Sequence, residues 1–382
     1  MGSAIYLVNK FFSRLRSIDW LLFFSAILLV CAGMVTMYSF TGDNTYFDKQ
    51  VVWLLVSVIV FFVCGTIDWR FLRRTDVIVG LFILSCIVLV GLFLVGHVSK
   101  GAQSWFKLGA ISFQPSDSIK LVLILLLSKY FSRRHIGIAN IRHIFVSGFY
   151  AFVIFVLVLI QPDFGSAIII FCIWLGMMLV SGISKKHLAL VFLVGAAAFA
   201  GLWLYVFRDY QKERIMTFVH PLADIRGAGY NAHQSVIAIG SGGFIGKGVG
   251  FGTQSRLKFL PEYQTDFIFA AFAEEWGLVG VLILFGLFAV FMWRVLVNAN
   301  VGASNFEILF GLGLAVLFVS HFTIHIGMNI GLLPVTGTTV PFMSYGGTHL
   351  LTEFAGLGIL MGMRRYRRVA HKDIVKNEFS GL

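Results

Sequence analysis

Residues 260–277, LPEYQTDFIFAAFAEEWG, carry four carboxylates where a polar stretch becomes apolar. They are Glu262, Asp266, Glu274 and Glu275, in a chain with only 18 Asp and Glu residues among 382. A carboxylate can act as a general base or bind a divalent cation. Because ionised groups are costly near lipid hydrocarbon, such residues face a partner, a polar cavity or the membrane surface. These four residues are therefore the first candidates for function.

A lysine lies one turn inside another apolar run, in SFQPSDSIKLVLILLL, residues 112–127. Pro115 suits the first turn of a helix, where its missing N–H is not needed, and Asp117 complements the helix dipole there. Lys120 follows three residues later on the same face. The pair could be a local ion pair, but a lysine inside a membrane span is costly unless it faces a polar cavity. We therefore predict that Lys120 faces such a cavity and binds an anion.

The composition indicates which class of protein positions these groups. Hydrophobic residues make up 58% of the chain and charged residues 13%, against about 25% charged residues in soluble domains. Continuous apolar runs of roughly 20 residues recur, which indicates membrane-spanning helices rather than a β-barrel. The net charge of +12 is then explained by cationic cytoplasmic loops, with no need for nucleic acid. All four cysteines lie in apolar runs, so neither a disulfide framework nor a zinc site is indicated.

We predict an all-α polytopic membrane protein with about ten spans, in a single integral membrane domain covering residues 1–382. Lys and Arg concentrate in alternate short loops, which places both termini in the cytoplasm. Residues 208–265 form a long extracytoplasmic loop between the seventh and eighth spans. The predicted spans are about 18–38, 50–67, 76–97, 114–131, 144–161, 164–182, 187–207, 267–293, 306–330 and 348–363.

Helix geometry separates the roles of the carboxylates in 260–277. Counting back about 20 residues from the inner end of the eighth span, at 1.5 Å each, reaches Glu274 and Glu275 near the outer edge of the hydrocarbon. Asp266 lies about two turns higher, at headgroup level. A continuous helix would place it on a face of small residues, Ala270, Ala273 and Gly277. We therefore predict a chemical role for Asp266, and structural roles for Glu274 and Glu275 as partners for buried cations.

Two outer connections are rich in glycine and proline. Residues 334–350, PVTGTTVPFMSYGGTHL, have irregular backbone that is stable near a membrane only when buried in protein or lining a wet cavity. Residues 240–255, GSGGFIGKGVGFGTQS, lack the Ser or Thr that follows Gly-Lys in a P-loop, and suit a hinge or a close approach of backbone N–H groups to phosphate or sugar. His321 and His325 have metal-ligand spacing but no carboxylate or cysteine nearby in sequence, which favours polar packing. A carboxylate, a lysine and these connections at the outer surface suit a molecule with a lipid tail and an anionic head.

The chain resembles the SEDS family of bacterial cell-wall proteins (shape, elongation, division and sporulation) in six ordered motifs. These are KGAQSWFKLG, FQPSD followed by Lys120, QPDFGSA, AGYNAHQSVIAIGSGGFIGKGVGFGTQS, LPEYQTDFIFAAFAEEWGLVG and GLLPVTGTTVPFMSYGGTHL. The resemblance covers nearly the whole chain, and the GTQS after the glycine run resembles the elongation branch, RodA, more than the division branch, FtsW.

The resemblance implies an inverting glycosyltransferase that polymerises lipid II at the outer face of the bacterial cytoplasmic (inner) membrane. It also implies a divalent cation, Mg²⁺ or Mn²⁺, and a class B penicillin-binding protein as transpeptidase partner. Asp266 matches the essential aspartate of the family, and Lys120 matches its lysine. With these motifs we predict a substrate-binding set of Trp105, Lys107, Gln114, Asp117, Lys120, Ser344 and Tyr345. Pro115 and Pro341 are predicted to be structural.

The chain departs from the family pattern at three places. Asp117 stands where the family usually has Glu, Gln264 stands where His is common, and SYGGTHL replaces SYGGSSL. Whether Asp266 acts as a general base or as a metal ligand stays open. Two other functions also stay open: a lipid II flippase, which needs a cavity opening to both faces, and a non-catalytic scaffold that only recruits the transpeptidase.

Overall fold

The computed structural model describes residues 18–39, 45–99, 102–108, 111–133, 141–205, 207, 212, 216, 218, 229–257 and 259–379. The predicted, mostly helical fold is confirmed, and a helix lies at each of the ten predicted spans. Within this part of the chain, seven helices are long and apolar enough to cross a membrane. The helices are α1 Trp20–Tyr38, α2 Thr45–Thr66, α3 Thr75–Val95, α4 Pro115–Ser132, α5 Ile141–Ile160, α6 Phe164–Val180, α7 Lys185–Tyr205, α8 Tyr230–Ser241, α9 Thr253–Arg256, α10 Ile268–Asn300, α11 Asn305–Asn329 and α12 Gly347–Phe379, with a 3₁₀ turn at Trp69–Arg73.

A small antiparallel sheet lies between α3 and α4, in a connection for which the sequence predicts no strand. Its strands are β1 His97–Ser99, β2 Ala102–Leu108 and β3 Ile111–Phe113, in the order β1-β2-β3. Trp105 of β2 lies opposite His97, and Phe106 lies opposite Phe113. Because β3 leads within one residue into α4, the sheet fixes the outer end of that helix.

The long connection between α7 and α10 is partly helical rather than an extended loop. Its described part contains the 12-residue helix α8 and the single turn α9. Most of residues 208–228 lie outside the described residues, and the extracytoplasmic location of the whole connection 208–265 stays a prediction.

Four phenylalanines bind the last outer connection to the helix bundle. Phe342 is buried, and its ring centroid lies 5.0 Å from that of Phe291 on α10 and 5.4 Å from that of Phe318 on α11. The Phe354 ring of α12 lies 5.5 Å away. Phe342 has a φ of 64°, a left-handed value that a bulky residue adopts only under strain. Burial of this ring among three helices offsets that strain and holds the irregular backbone in place.

A buried charge cluster joins α1, α10 and α12 at the end of the bundle that is predicted to be cytoplasmic. Asp19, which caps α1, accepts hydrogen bonds from Arg294 and, at 2.7 Å, from Asn298 of α10. Arg364 of α12 donates to Asn298 at 2.7 Å and lies 3.6 Å from Asp19. Each charge in this cluster faces an opposite charge, as groups removed from water require.

The expected continuous helix through Asp266 is wrong. Helix α10 begins at Ile268, so Asp266 lies in the preceding turn and shares no helical face with the small residues that follow. Gly277 interrupts α10 with φ 64° and ψ −167°. A glycine accommodates this conformation because it has no Cβ. The helical periodicity of the sequence only predicts that Gly277 is a small residue on one face of a continuous helix. It therefore gives no sign of the break at this position.

Candidate functional site

The turn before α10 presents Asp266 at the end of the bundle that is predicted to be the outer one. The N–H groups of Thr265 and Phe267 both donate to the carbonyl of Glu262, at 3.1 and 3.2 Å. Glu262 has a φ of 50°, which closes the turn. Phe267 is buried beneath the turn, whereas Asp266 is partly exposed. The backbone of this turn therefore holds a carboxylate at the boundary between the protein core and its surroundings.

The buried side-chain amide of Asn329, at the end of α11, holds this turn in place through two hydrogen bonds. Its Nδ2 donates to the carbonyl of Asp266 at 3.0 Å, and its Oδ1 accepts from the N–H of Ala270 at 3.3 Å. Ser235 of α8 donates to the backbone carbonyl of Asn329 at 2.8 Å. Helices α8, α10 and α11 are thus joined directly behind Asp266.

The last outer connection fixes the same turn from the other side. Ser344 is buried, and its hydroxyl donates to the carbonyl of Thr265 at 2.9 Å while accepting from the N–H of Val340 at 2.9 Å. The N–H of Tyr345 donates to the carbonyl of Gln264 at 2.8 Å. The two residues predicted to bind substrate therefore lie beside Asp266, with the hydroxyl of Ser344 bonded to backbone. Their assignment to substrate binding stays a prediction.

Lys120 lies in a second polar cluster, and it is buried rather than lining an open cavity. Its Nζ lies 3.0 Å from Oδ1 of Asp117, so the predicted ion pair is present. The side chains are only 4% and 6% exposed. Thr348 of α12 donates to Oδ2 of Asp117 at 3.4 Å. As the structure stands, Lys120 is a buried cation with a carboxylate partner, and its role in binding an anion stays a prediction.

Two residues that the sequence analysis did not single out complete this cluster. The Nδ1 of His349 lies 3.4 Å from Asp117, and its Nε2 lies 3.1 Å from Glu353, at ion-pair distance but outside hydrogen-bond alignment. Glu353 also accepts from the N–H of Phe342 at 2.8 Å. His349 and Glu353 are four residues apart in an apolar helix, and that spacing is the signal that could have found them. The cluster links α4 to α12 and to the last outer connection, which also contacts the Asp266 turn.

The remaining predicted site residues on the outer side have mostly structural contacts. Gln114 donates to Asp163 at 3.0 Å, and Asp163 caps α6 by accepting from the N–H of Ser166 at 3.0 Å, which joins α4 to α6. Pro115 occupies the first turn of α4 as predicted. Trp105 is half-buried in β2, and Pro341 is buried directly before Phe342. Lys107 lies in β2, and its side chain lies outside the described residues.

Glu274 and Glu275 hold the glycine-rich segment against α10. Glu274 accepts from Nζ of Lys247 at 2.7 Å and from the N–H of Gln254 at 3.0 Å, so it has the cationic partner that was expected. Glu275 has no such partner in the described chain. Its carboxylate accepts from the hydroxyl of Ser39 at 2.5 Å and from the N–H of Gly250 at 2.9 Å. Both residues are buried, and the contacts of each are those of a structural residue.

Asp266 is partly exposed, whereas Glu274 and Glu275 are buried, so of these three carboxylates Asp266 is the one that a divalent cation could reach. Among the described residues no three His, Cys, Asp or Glu side chains come together as a metal site. The ring Nδ1 atoms of His321 and His325 face the carbonyls of Thr339 and Thr338, at 3.2 and 2.7 Å. Mg²⁺ often takes only one or two protein carboxylates and completes its shell with water and substrate phosphates. The position of Asp266 fits that mode of binding.

The fold and the site define a class: polytopic helical membrane proteins with a polar site at one end of the helix bundle. Residues 14–369 match the FtsW/RodA/SpoVE family of cell cycle proteins. The chain belongs to this family.

Named relatives and solved structures agree with this assignment. The chain is 35% identical to the peptidoglycan glycosyltransferase MrdB of Escherichia coli K12, over 91% of this chain and 93% of that one. It is 34% identical to stage V sporulation protein E of Bacillus subtilis, over 93% of this chain and 99% of that one. A chain of a peptidoglycan synthase complex that coordinates polymerization and crosslinking superposes with a TM-score of 0.78 at 28% identity, covering 91% of this chain and 98% of that one. The rod shape determining protein RodA of Thermus thermophilus superposes with a TM-score of 0.69 at 29% identity, with coverage of 91% and 97%.

Proposed function

We propose that this protein is a peptidoglycan glycosyltransferase that polymerises lipid II into glycan strands during cell elongation. The observation that carries the proposal is the turn at Asp266, where a partly exposed carboxylate is held at the outer end of the bundle by Asn329 and Ser344. The relative MrdB carries the name peptidoglycan glycosyltransferase. A lipid-linked substrate with an anionic head suits a site at this depth, where the tail stays in the bilayer.

The proposed reaction joins two sugars with inversion. The 4-hydroxyl of the acceptor sugar attacks the anomeric carbon of the donor, the new C–O bond forms, and the bond to the lipid diphosphate breaks. A carboxylate that removes the hydroxyl proton contributes roughly 10²–10⁴ in rate. Asp266 is the candidate for this role, either directly as the base or as a metal ligand.

The departing diphosphate requires positive charge. Lys120 is one candidate, and its approach to substrate would require it to exchange Asp117 for the diphosphate. A divalent cation, Mg²⁺ or Mn²⁺, is the second candidate, and Asp266 would hold it together with substrate phosphates. When bound, the cation would neutralise charge on the leaving group.

We further propose that the protein resides in the bacterial cytoplasmic (inner) membrane and acts with a class B penicillin-binding protein. Its apolar helices support a membrane location. The similar chain from a peptidoglycan synthase complex supports a crosslinking partner, because polymerization and crosslinking are coordinated in that complex.

The test is the purified full-length chain with lipid II, Mg²⁺ and no partner protein, with polymer resolved on a gel. We expect glycan strands from the wild type. For Asp266→Asn we expect a rate at least about 10²-fold lower, because the amide cannot act as a base. Glu262→Gln is the matched control, since the backbone of Glu262 closes the turn and a glutamine side chain can still accept the hydrogen bond that the hydroxyl of Thr265 donates to Glu262 at 3.3 Å.

Each of the other functions gives a different result in this assay. A flippase would move lipid II across vesicle membranes without making polymer. A scaffold would make polymer only when a polymerising partner is added. An Asp266→Asn protein that polymerises at more than about a tenth of the wild-type rate would move the chemistry to another residue.

A further inference from the structure

The tip of the glycine-rich segment, residues 243–251, is apolar and exposed in the isolated chain. Phe244, Ile245 and Phe251 are 75%, 85% and 66% exposed. Exposed aromatic and aliphatic side chains in such a cluster mark a surface that another apolar phase covers. The tip contains one ionisable side chain, Lys247, and its ammonium group pairs with buried Glu274 at 2.7 Å.

The tip is hydrogen-bonded to α10 directly after the break at Gly277. The N–H groups of Leu278 and Val279, which follow the break in α10, donate to the carbonyls of Gly243 and Phe244 at 2.9 and 3.1 Å. Leu278 and Val279 are themselves exposed and continue into the lipid-facing surface of α10 at Leu282. The apolar surface of the tip is therefore continuous with that of the span.

The depth of this contact follows from the helix rise. Sixteen residues separate Leu278 from Arg294, which pairs with Asp19 at the cytoplasmic end. At 1.5 Å per residue, Leu278 lies about 24 Å above that end, and the hydrocarbon core is about 30 Å thick. Leu278 and the tip bonded to it therefore lie about 6 Å below the outer boundary of the hydrocarbon. Any tilt of α10 lowers them further.

Much of the backbone of the tip is paired within the protein, as a membrane interior requires of polar groups. The N–H groups of Gly246, Lys247, Gly248 and Gly250 all donate to protein oxygens at 2.9–3.0 Å, three of them on Glu274 and Glu275. Irregular backbone at membrane depth is tolerated only when its polar groups are paired within the protein.

Glycines make this close pairing possible. A Cβ on Gly246 would lie 2.1 Å from the carbonyl oxygen of Glu275, and a Cβ on Gly277 would lie 2.3 Å from the nitrogen of Gly246. Both positions also have positive φ, at 87° and 64°. The glycines therefore allow the backbone of the segment to pack closely against the break in α10.

We infer that residues 243–251 form a re-entrant tip, whose apolar side chains Phe244, Ile245 and Phe251 are immersed in the acyl chains of the outer leaflet. The long outer connection is thereby anchored in the bilayer at the break in α10.

Site-directed spin labelling tests this inference directly. The free cysteines Cys31, Cys64, Cys86 and Cys172 are replaced by alanine, and a nitroxide is attached to Ile245→Cys in the full-length chain in lipid nanodiscs without a partner. Collision rates with oxygen, which concentrates in hydrocarbon, and with a water-soluble nickel chelate are measured. Leu282→Cys provides a lipid-facing reference and Arg70→Cys, an exposed position, an aqueous reference.

For Ile245→Cys we expect an oxygen-to-nickel collision ratio close to that of Leu282→Cys and several-fold above that of Arg70→Cys. A ratio like that of Arg70→Cys would place the tip in water and overturn the inference. Low collision rates with both reagents would show that protein covers the tip, and would overturn it too. Phe244→Cys repeats the measurement at the neighbouring position, and the unfolding midpoint of each labelled protein verifies that it is folded.

Discussion

Replacing Lys120 by methionine is expected to lower stability as well as activity. The ammonium group lies 3.0 Å from Asp117, and both side chains are nearly inaccessible. Methionine retains most of the stem but leaves Asp117 with only Thr348 and His349 in the cluster. Removing one member of a buried ion pair costs about 3–5 kcal/mol, because the other charge loses its partner. We expect a loss of this size in the free energy of unfolding of Lys120→Met.

The double variant Asp117→Asn/Lys120→Met is the matched control. It removes both charges with little change in volume, and such a replacement is often close to neutral. The double variant should therefore be more stable than Lys120→Met alone, and the cycle completed with the single variant Asp117→Asn should give a coupling energy of at least about 1–3 kcal/mol. Unfolding is measured in detergent and in nanodiscs, and polymer yield is normalised to folded protein. The reasoning is refuted if Lys120→Met unfolds like the wild type. It is also refuted if the loss in unfolding free energy of the double variant equals the sum of the losses of Asp117→Asn and Lys120→Met.

Two further predictions concern the contact between the glycine-rich segment and α10. Glu274→Gln removes the carboxylate that pairs with Lys247, and we expect a loss of about 1.5–3 kcal/mol in stability, compared by thermal unfolding with the small effect expected for Glu262→Gln. Gly277→Ala places a Cβ 2.3 Å from backbone at a positive φ, and we expect a much larger fall in the unfolding midpoint than for Gly286→Ala, where nothing lies within 4 Å of the added Cβ. Equal stability of the two alanine variants would contradict the observed break in the helix.

Local rules predict the spans and the caps of this protein well. Lipid requires long apolar helices, so the runs of hydrophobic residues mark them directly. Pro115 at the start of α4 and the pair Asp117–Lys120 both depend on residues within one helical turn, and the structure contains each of them. These features are predictable because their partners lie close together in the sequence.

Contacts between distant residues could not be predicted in this way. Ser344 reaches Thr265 across 79 residues and Thr348 reaches Asp117 across 231. The side chain of His349 is confined between two carboxylates that belong to different helices. Hydrophobic periodicity carries no information about such pairings, and it also concealed the break at Gly277.

The cluster at Asp19 has a consequence for the order in which the chain is made. Asp19 is synthesised with the first span, whereas its partner Arg294 follows 275 residues later. At about 5–20 residues per second, translation takes about 14–55 s to supply that arginine. During this interval Asp19 lacks the arginine with which it forms an ion pair in the structure. The ion pair that joins α1 to α10 therefore forms late, when most of the other helices have already been synthesised.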